Sequence, residues 1–491
     1  MHAAIALERP HTWAAFLQRA LARPVVLGGM LVCLTFCFCC LRFNDPDTWL
    51  HLKLGQEIWQ THAIPQTDHW SFTVAGKARI DHEWVAQLSM YLAYSVGGYQ
   101  GLLLWLCVLV SALVALVYAL CYRYCGNATI AMLGGFLAFF FGTIGFAIRP
   151  HMIGYALLAV ELLVMERAWS GRPRVLWCLP PLFVLWVNCH GSWALGIGLL
   201  AAASVCSYIV GRGPDKRVLA GVLALCAGAL IVNPIGIKLL LYPLNVFAKQ
   251  RDSLGFLTEW LPLTVQDVRG VAVFAILAAI GVAALLNKVK ATVFEALVLA
   301  AVSFLAIQHI RMLFVFGIVS APIVCRLLRQ LRVARDPKPD HLPSNALLLV
   351  TAAVLCFAMF PRVEKIQENI ELNNPVKAIR FIRQAGLEGN MMHDYMWGGY
   401  LAWALPEHKV FIDGRGDIFD WAGLLARYRD WATVQADPAR LLDDFNISFC
   451  LLPVTAQEAY VMPRLQGWKK LYSDDVAVIF GRDRVTPSAP R

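Results

Sequence analysis

Long apolar segments recur along the chain between short polar loops, and they restrict its fold more than any other feature. About eleven of them reach or approach the ~20 residues that a helix needs to cross a bilayer. They are residues 24–43, 99–121, 128–146, 152–167, 175–189, 192–210, 218–232, 271–286, 292–307, 312–328 and 345–360. Only 15% of the 491 residues are charged, whereas a soluble protein carries roughly 25%. We predict a mainly α, polytopic bundle of membrane helices.

Basic residues predict how this bundle is oriented. Clusters at residues 167–174, 212–217 and 288–290 fall on one side of the membrane if the spans simply alternate. The positive-inside rule makes that side cytoplasmic. An odd number of spans then places the N-terminus in the cytoplasm and residues 362–491 outside. The net charge of +10 is scattered over short loops, so nucleic acid is not an expected partner.

The pattern divides the chain into two predicted domains. Residues 1–361 form the membrane domain, whose first outer loop is 44–98 and includes an amphipathic stretch, 83–96, that we expect to lie along the membrane surface. Residues 362–491 form a small extracytoplasmic α/β domain, with a helix over 374–385. Its predicted strands are 409–412, 448–452 and 476–480.

The 14 cysteines lie mostly inside apolar segments, as Cys33 and Cys37 do. Their spacing shows no disulfide framework and no two CxxC pairs of the kind typical of zinc. Cys121 and Cys125 share a helix face at i, i+4, and the sequence indicates that they are small apolar residues at the end of a span.

An acidic turn at residues 44–51 follows the first apolar segment. It carries Asp45 and Asp47, with His51 one helical turn later. One interpretation is a helix cap, with Asp45 at the N-cap and Pro46 at the first helical position. However, carboxylates at a membrane boundary are costly and usually mark a functional site. The alternative is therefore a general base, or ligands for Mg²⁺ or Mn²⁺.

A second acidic segment, Asp81, His82 and Glu83, closes the same loop. Asp81 could cap the following helix, but a cap does not account for His82 or Glu83. If the loop folds back, these residues meet Asp45 and Asp47, and adjacent carboxylates acquire separated pKa values that suit acid/base chemistry. The candidate metal ligands are Asp45, Asp47 and Glu83.

Polar residues also recur at the predicted outer ends of spans. Arg149 and Arg311 are the only Arg or Lys residues in their short outer loops, against the orientation rule. A guanidinium matches a phosphate, so we expect an anion there. The alternative is an ion pair with an acidic residue from a neighbouring loop. His151 and His309 lie in these loops, and His190 lies in the loop between the fifth and sixth apolar segments. Each is either a substrate-binding or an interface residue.

The acidic turn resembles the first outer loop of the GT-C superfamily of integral-membrane glycosyltransferases. The resemblance rests on Asp45-Pro46-Asp47-Thr48-Trp49 and the following His51. Members of that superfamily carry paired acidic residues there and use polyprenyl- or dolichyl-phosphate-linked sugars. A wider pattern is similar to a bacterial family of GT-C-like membrane proteins. The segments that carry this similarity are residues 45–55, 68–73, 81–84, 149–150, 186–191, 233–236, 259–260, 395–400 and 411–415.

The tail is also similar to oligosaccharyltransferases. Residues 393–400, followed by Asp413 and Gly414, resemble the Trp-Trp-Asp-Tyr-Gly segment that helps those enzymes bind the acceptor peptide. The order differs, because no Trp pair precedes the aspartate here. The resemblance makes Trp397 and Tyr400 candidate substrate-binding residues, and the alternative is a turn whose glycines permit tight packing beneath them.

The resemblance implies sugar transfer from a polyprenyl-phosphate-type lipid donor to a glycan, lipid or protein acceptor. It implies an inverting enzyme of the bacterial inner membrane, acting on the extracytoplasmic face. Asp47 or Asp45 would serve as the base, and Arg149 or Arg311, with His309, would hold the lipid phosphate. Two alternatives are oligosaccharyltransferase-like transfer of a glycan to protein or polymer, and a non-enzymatic transporter or assembly scaffold.

Overall fold

The computed structural model describes residues 13–240, 258–331 and 340–483, so part of the predicted outer segment 233–270 lies outside the described residues. Within these ranges the chain is mainly helical, with a small C-terminal sheet. The helices before the tail are α1 (Trp13–Ala20), α2 (Arg23–Cys39), α3 (Asp47–Thr61), α4 (Trp84–Cys125), α5 (Ala128–Gly142), α6 (His151–Trp169), α7 (Leu179–Val187), α8 (Trp193–Val210), α9 (Lys216–Ala229), α10 (Val268–Leu285), α11 (Val293–Gln308), α12 (Leu313–Gln330) and α13 (Leu342–Met359). Short 3₁₀ turns occur at Pro173–Cys178, Thr258–Trp260 and Ile310–Met312.

The described helices support a membrane bundle. Five segments are long and apolar enough to cross a bilayer, namely Trp84–Cys125, Trp193–Val210, Val268–Leu285, Ile310–Gln330 and Leu342–Met359. Four shorter apolar segments accompany them, namely Arg23–Cys39, Ala128–Gly142, Pro173–Val187 and Val293–Gln308. Every predicted apolar segment contains a helix, whereas a total of eleven spans stays a prediction.

Helix α4 is two helices joined at a sharp kink. It runs for 42 residues, but Gly98 has φ 57° and ψ −146°, which is not helical. Glycine alone adopts this backbone region without strain. The predicted surface stretch 83–96 therefore lies in the helical part before the kink, and its position along the membrane stays a prediction.

The tail contains a four-stranded sheet in the order β1-β2-β4-β3. The strands are β1 (Asn390–His393), β2 (Ile447–Pro453), β3 (Trp468–Ser473) and β4 (Ala477–Arg482). Pairing is parallel between β1 and β2 and antiparallel elsewhere. Around the sheet lie α14 (Val363–Asn373), α15 (Val376–Ala385), α16 (Gly398–Ala404), α17 (Gly416–Trp421), α18 (Leu424–Ala432), α19 (Pro438–Asp444) and α20 (Gln457–Val461).

The predicted tail elements are mostly confirmed. The helix over 374–385 is α15, and the strands over 448–452 and 476–480 are β2 and β4. The predicted strand over 409–412 is wrong, because only Val410 forms a bridge, parallel to Ser71. The Val410 N–H donates to the Trp70 carbonyl, 2.9 Å away, and its own carbonyl accepts from Phe72. This apolar segment therefore pairs with the first outer loop instead of joining the sheet.

The tail also packs directly on α3, the helix that begins at the acidic turn. The rings of Trp49 and Tyr400 meet edge to face, with centroids 4.8 Å apart. A Cβ on Gly399 would lie 3.2 Å from the Pro46 carbonyl oxygen and from the Leu50 nitrogen. Only glycine permits so close an approach without displacing the backbone. The tail thereby fixes where the acidic turn lies.

Candidate functional site

The acidic turn begins helix α3, and an arginine binds its carboxylates; their role as a general base stays a prediction. Helix α3 begins at Asp47, and the backbone N–H of Asp47 donates to the Asp45 carboxylate over 3.0 Å. The same Asp45 oxygen accepts from Nε of Arg149 at 2.7 Å. Asp45 therefore orders the turn while its charge is bound by an arginine from a distant loop.

Arg149 is the centre of a carboxylate cluster. Its Nη1 lies 3.0 Å from Oδ2 of Asp47 and 2.9 Å from Oε1 of Glu259, in addition to the Asp45 contact. The predicted alternative, an ion pair with acidic residues of neighbouring loops, is what the structure shows. Burial raises the pKa of Asp45 and of Asp47, although Arg149 opposes the effect. The carboxylates raise the pKa of Arg149 well above its ordinary value, despite burial.

Arg311 forms the second cationic element. It lies 3.9 Å from Glu259 and over the ring of Trp260, 5.3 Å from the centroid. Nδ1 of His309 donates to the Trp260 carbonyl over 2.9 Å, so this histidine positions the Trp260 segment. Arg311 thus has one long ion pair and an aromatic support, which leaves more of its hydrogen-bonding capacity for a ligand than Arg149 retains.

Glu83 lies among three histidines. Its carboxylate oxygens are 3.9 Å from Nδ1 of His51, 4.0 Å from Nε2 of His82 and 3.8 Å from Nε2 of His190. His190 Nδ1 accepts the Ser192 backbone N–H, so its ring proton is on Nε2, the atom facing Glu83. The structure therefore brings these predicted residues together from the first outer loop and the 188–192 loop.

This group is held largely uncharged at neutral pH. Burial, reinforced by Asp81, raises the pKa of Glu83 to about 8. Burial, reinforced by Arg149, lowers the pKa of His51 to about 4. The pKa values of His82 and His190 are also lowered by burial. A protonated carboxyl can donate a proton and a neutral imidazole can accept one, so this group is suited to general acid and base roles.

His151 lies beside this group without contacting Glu83. Its Nε2 donates to the Gly145 carbonyl over 2.9 Å, and its ring centroid is 6.0 Å from that of His190. The ring of Tyr155 lies 5.4 Å from it. His151 thus packs against the rings of both His190 and Tyr155.

Asp81 belongs to a second network, which adjoins Glu83 because the Asp81 carboxylate accepts the Glu83 backbone N–H over 3.3 Å. It pairs with Arg79 at 3.2 Å, and both residues are buried. Arg79 and Arg415 lie over the ring of Trp70, with centroid distances of 5.2 and 4.8 Å. Arg415 in turn binds two buried aspartates, Asp68 and Asp413, each at 2.5 Å. This network joins the first outer loop to the tail.

A cavity of about 150 Å³ lies between the Glu83–histidine group and the Asp81 network. Its walls come from α3, from the loop before α4 and from the segment that begins α17. It is lined by Leu50, His51, Leu54, Arg79, Ile80, Asp81, His82, Glu83, Gln87, Gly414, Arg415, Asp417 and Ile418. On one wall, a Cβ on Gly414 would lie 2.4 Å from Oδ1 of Asp47, so this glycine allows the tail to reach the acidic turn. The cavity therefore has polar walls from both the loop and the tail.

Trp397 and Tyr400 are buried and do not line this cavity. Nε1 of Trp397 donates to the Asn373 carbonyl over 3.1 Å, and Tyr400 packs on Trp49. Their contacts support the position of the tail, and a role in substrate binding stays a prediction.

The three candidate metal ligands do not form a joint site. Among the described residues, Asp45, Asp47 and Glu83 are not a group whose ligand atoms all lie within 4.8 Å of one another. Instead, the Arg149 guanidinium binds the two aspartates, and Glu83 faces imidazoles. As arranged, the three residues do not bind one divalent ion jointly. A requirement for Mg²⁺ or Mn²⁺ stays a prediction.

Solved structures with a similar fold are membrane glycosyltransferases. The oligosaccharyltransferase AglB of Archaeoglobus fulgidus, in complex with an inhibitory peptide and a dolichol-phosphate, matches with TM-score 0.52 and 12% identity, over 87% of this chain and 69% of that one. ArnT of Cupriavidus metallidurans bound to undecaprenyl phosphate matches with TM-score 0.50 and 14% identity, over 91% and 96%. The chain has the GT-C fold.

A further structure with this GT-C fold is the Archaeoglobus oligosaccharyltransferase tethered with an acceptor peptide that contains the NVT sequon. It matches with TM-score 0.52 and 12% identity, over 92% of this chain and 74% of that one. No protein-family model matches the chain, and no curated protein matches it either. At these identities the likeness establishes the GT-C fold alone, so the roles of residues rest on the geometry described above.

Glu259, Arg79, Asp68 and Arg415 were missed as site residues by the sequence analysis. Glu259 lies more than 100 residues beyond the acidic turn, in a segment without a local pattern. A signal was present, because each except Arg79 falls inside a segment of the GT-C-like family pattern. Weighing charged residues within those segments would have identified Glu259, Asp68 and Arg415, but not Arg79.

Proposed function

We propose that this protein is a membrane glycosyltransferase that moves a sugar from a polyprenyl-phosphate-type lipid donor to an acceptor on the extracytoplasmic face. The observation that carries the proposal is the pair Asp45 and Asp47 at the mouth of the bundle, bound by Arg149, with Arg311 close by across Glu259. The fold supports it, since the similar structures of AglB and ArnT contain dolichol-phosphate and undecaprenyl phosphate.

Asp47 is the better candidate for the base. Its side chain is 30% exposed, whereas that of Asp45 is 16% exposed and already accepts from a backbone N–H and from Arg149. Burial raises the pKa of Asp47, which strengthens it as a proton acceptor. Asp47 would take the proton of the acceptor hydroxyl as that oxygen attacks the anomeric carbon. Attack opposite the leaving lipid phosphate inverts the anomeric centre.

Arg311 is the better candidate for the donor phosphate. Arg149 is surrounded by carboxylates, which would repel a phosphate, whereas Arg311 has one carboxylate at 3.9 Å. The leaving lipid phosphate gains charge in the transition state, and a guanidinium stabilises that charge through two hydrogen bonds. Trp260, beneath Arg311, keeps the guanidinium in place.

The experiment compares the purified protein with Asp47→Asn and Arg311→Gln, using a panel of polyprenyl-phosphate sugars. Asp47→Asn should lower transfer about 10²- to 10⁴-fold, because the general base is lost, while undecaprenyl phosphate still binds. Arg311→Gln should weaken binding of undecaprenyl phosphate itself. Glu371→Gln, in an exposed pair with Arg380, is the matched control and should retain both properties.

Full transfer by Asp47→Asn would remove Asp47 as the base. Unchanged binding by Arg311→Gln would assign the phosphate to another group. If the unaltered protein transfers no sugar from any lipid in the panel, the alternative of a transporter or assembly scaffold gains support.

Transfer of a whole glycan to protein or polymer is the second candidate. It is favoured by the match to an oligosaccharyltransferase tethered with an acceptor peptide. The cavity walls contributed by the tail, Gly414 and Asp417, are where such an acceptor would approach Asp47. Supplying oligosaccharide-linked and monosaccharide-linked polyprenyl donors side by side distinguishes the two, because only the second candidate predicts use of the larger donor.

A further inference from the structure

Three cysteine side chains converge between α2 and α13, away from the acidic turn. Cys33 and Cys37 lie one helical turn apart on α2, and Cys356 lies on α13. Within residues 13–240, 258–331 and 340–483, they form the only group of three or more His, Cys, Asp or Glu whose ligand atoms all lie within 4.8 Å of one another. Cys33 is buried, and the other two are partly buried.

The separation of the sulfur atoms matches a three-coordinate metal ion. Sγ of Cys33 and Sγ of Cys37 are 4.0 Å apart. Three sulfurs around one ion, each at about 2.3 Å, lie about 4.0 Å from one another. The i, i+4 spacing on α2 supplies two of these sulfurs on one helix face, and Cys356 completes the triangle from the facing helix.

The ligand atoms available in this cluster determine which class of metal ion it favours. Three thiols and no oxygen or nitrogen ligand favour a soft ion such as Cu⁺ over Mg²⁺ or Mn²⁺. Zinc almost always takes four ligands, and no fourth His, Cys, Asp or Glu among the described residues joins the group. Both helices are apolar, so water is scarce as a fourth ligand.

We propose that Cys33, Cys37 and Cys356 bind one soft monovalent metal ion, Cu⁺ or its analogue Ag⁺, within the membrane domain. Binding converts one thiol to a thiolate, forms three metal–sulfur bonds and releases one proton to solvent. The single positive charge of the ion is then balanced by one thiolate. The loaded site is neutral overall, which avoids the cost of a net charge in the bilayer.

The ion would also tie α13 to the bundle. In the part of the chain that the structure describes, no residue of α13 is buried, and the Cys33 thiol donates to the Ala352 carbonyl over 3.3 Å. A metal bridge from Cys356 to α2 would hold this outer helix more firmly than such contacts do. Binding to the folded state alone therefore raises thermal stability.

The test uses the full chain in nanodiscs, without oxygen and with a reductant, titrated with Cu⁺ against the coloured chelator bicinchoninate. We expect one Cu⁺ per chain to be retained, and each of Cys33→Ala, Cys37→Ala and Cys356→Ala to weaken affinity at least about tenfold. X-ray absorption should show sulfur neighbours alone, at about 2.3 Å. Cu⁺ should raise the Tm of the unaltered chain and not that of Cys356→Ala.

Cys206→Ala is the matched control, since Cys206 is a buried cysteine on another membrane helix, α8. It should leave Cu⁺ retention unchanged. Loss of all Cu⁺ to the chelator by the unaltered chain would overturn the proposal. So would equal retention by the three cluster variants, or an equal loss in Cys206→Ala. Cys356 lies on a helix without buried residues, so its variant is expected to fold.

Discussion

At the scale of single residues, the site depends on Arg149. One guanidinium binds Asp45, Asp47 and Glu259, which come from the first outer loop and from a segment more than 100 residues later. Without it, three carboxylates would lie close together in a partly buried place, where each raises the cost of ionising the others. Arg149 thus stabilises the site and keeps the aspartates in position.

Replacing this residue should destabilise the fold. We expect Arg149→Gln to lower the free energy of unfolding by about 3 kcal/mol, because it leaves carboxylates without their counter-ion. Thermal unfolding in detergent measures the effect. Arg123→Gln, which breaks a more exposed pair with Glu166, should cost about 1 kcal/mol or less. Equal losses in the two variants would contradict the central role of Arg149.

Glu83 gives the protein a characteristic pH dependence. Its pKa rises from an ordinary 4.5 to about 8 on folding, so the folded chain holds a proton that the unfolded chain loses. Its contribution to stability is complete below pH 4.5 and is lost as the pH rises through 8. The pKa of His51 is lowered from 6.5 to about 4, so its contribution is complete above pH 6.5 and is lost on acidification.

Stability measured between pH 6.5 and 8.5 therefore reports the titration of Glu83 and not that of His51. We expect Tm to fall with rising pH across this window, and Glu83→Gln to flatten that fall because an amide stays neutral. Glu368→Gln, beside Lys365 on the surface, controls for the loss of one carboxyl. An unchanged slope in Glu83→Gln would show that another group titrates there.

At the scale of helices and strands, the sequence predicted those elements that have a clear hydrophobic periodicity. The apolar segments, α15, β2 and β4 were all identified from their patterns. The strand over 409–412 failed because local β propensity does not reveal the pairing partner. Val410 pairs with the outer loop at Ser71, a contact across more than 300 residues. The convergence of Glu259 on Arg149 was hidden for the same reason.

The kink at Gly98 yields a matched pair of variants. Gly98→Ala should destabilise the protein by about 1–3 kcal/mol, because φ 57° and ψ −146° strain any residue with a Cβ. No neighbouring atom lies within 4 Å of the added Cβ at Gly98 or at Gly97, so the comparison isolates backbone strain. Gly97→Ala, in helical backbone, should be neutral or slightly stabilising. A similar loss of stability in both variants would argue against backbone strain as the cause.

At the scale of the whole molecule, the outer loop and the tail form one structure around the candidate site. Arg415 binds Asp68 across this boundary, and Thr73 donates to the Phe411 carbonyl over 2.6 Å. Trp49 and Tyr400 add an aromatic contact. The division into two domains, expected from composition, remains a prediction. Composition could not have predicted this shared surface, because it carries no information on contacts between segments.

Cutting the chain at this boundary should produce two fragments that reassemble. If residues 1–361 and 362–491 are produced separately, the second with its own export signal, we expect them to co-purify from membranes. Trp49→Ala in the first fragment should weaken that association, because it removes the ring that packs on Tyr400. Failure of the fragments to associate, together with a tail that unfolds cooperatively alone, would contradict this.

The close contacts at two glycines between the tail and the acidic turn restrict which substitutions the chain can accept during evolution. A Cβ added at Gly399 would lie 3.2 Å from two backbone atoms of the turn, and one added at Gly414 would lie 2.4 Å from the Asp47 carboxylate, so either addition would require the turn to shift. A change in the acidic turn must therefore be matched by a change in the tail, and the two segments are constrained to vary together. Exchanging tails between homologues should succeed only when the first outer loop is exchanged with them.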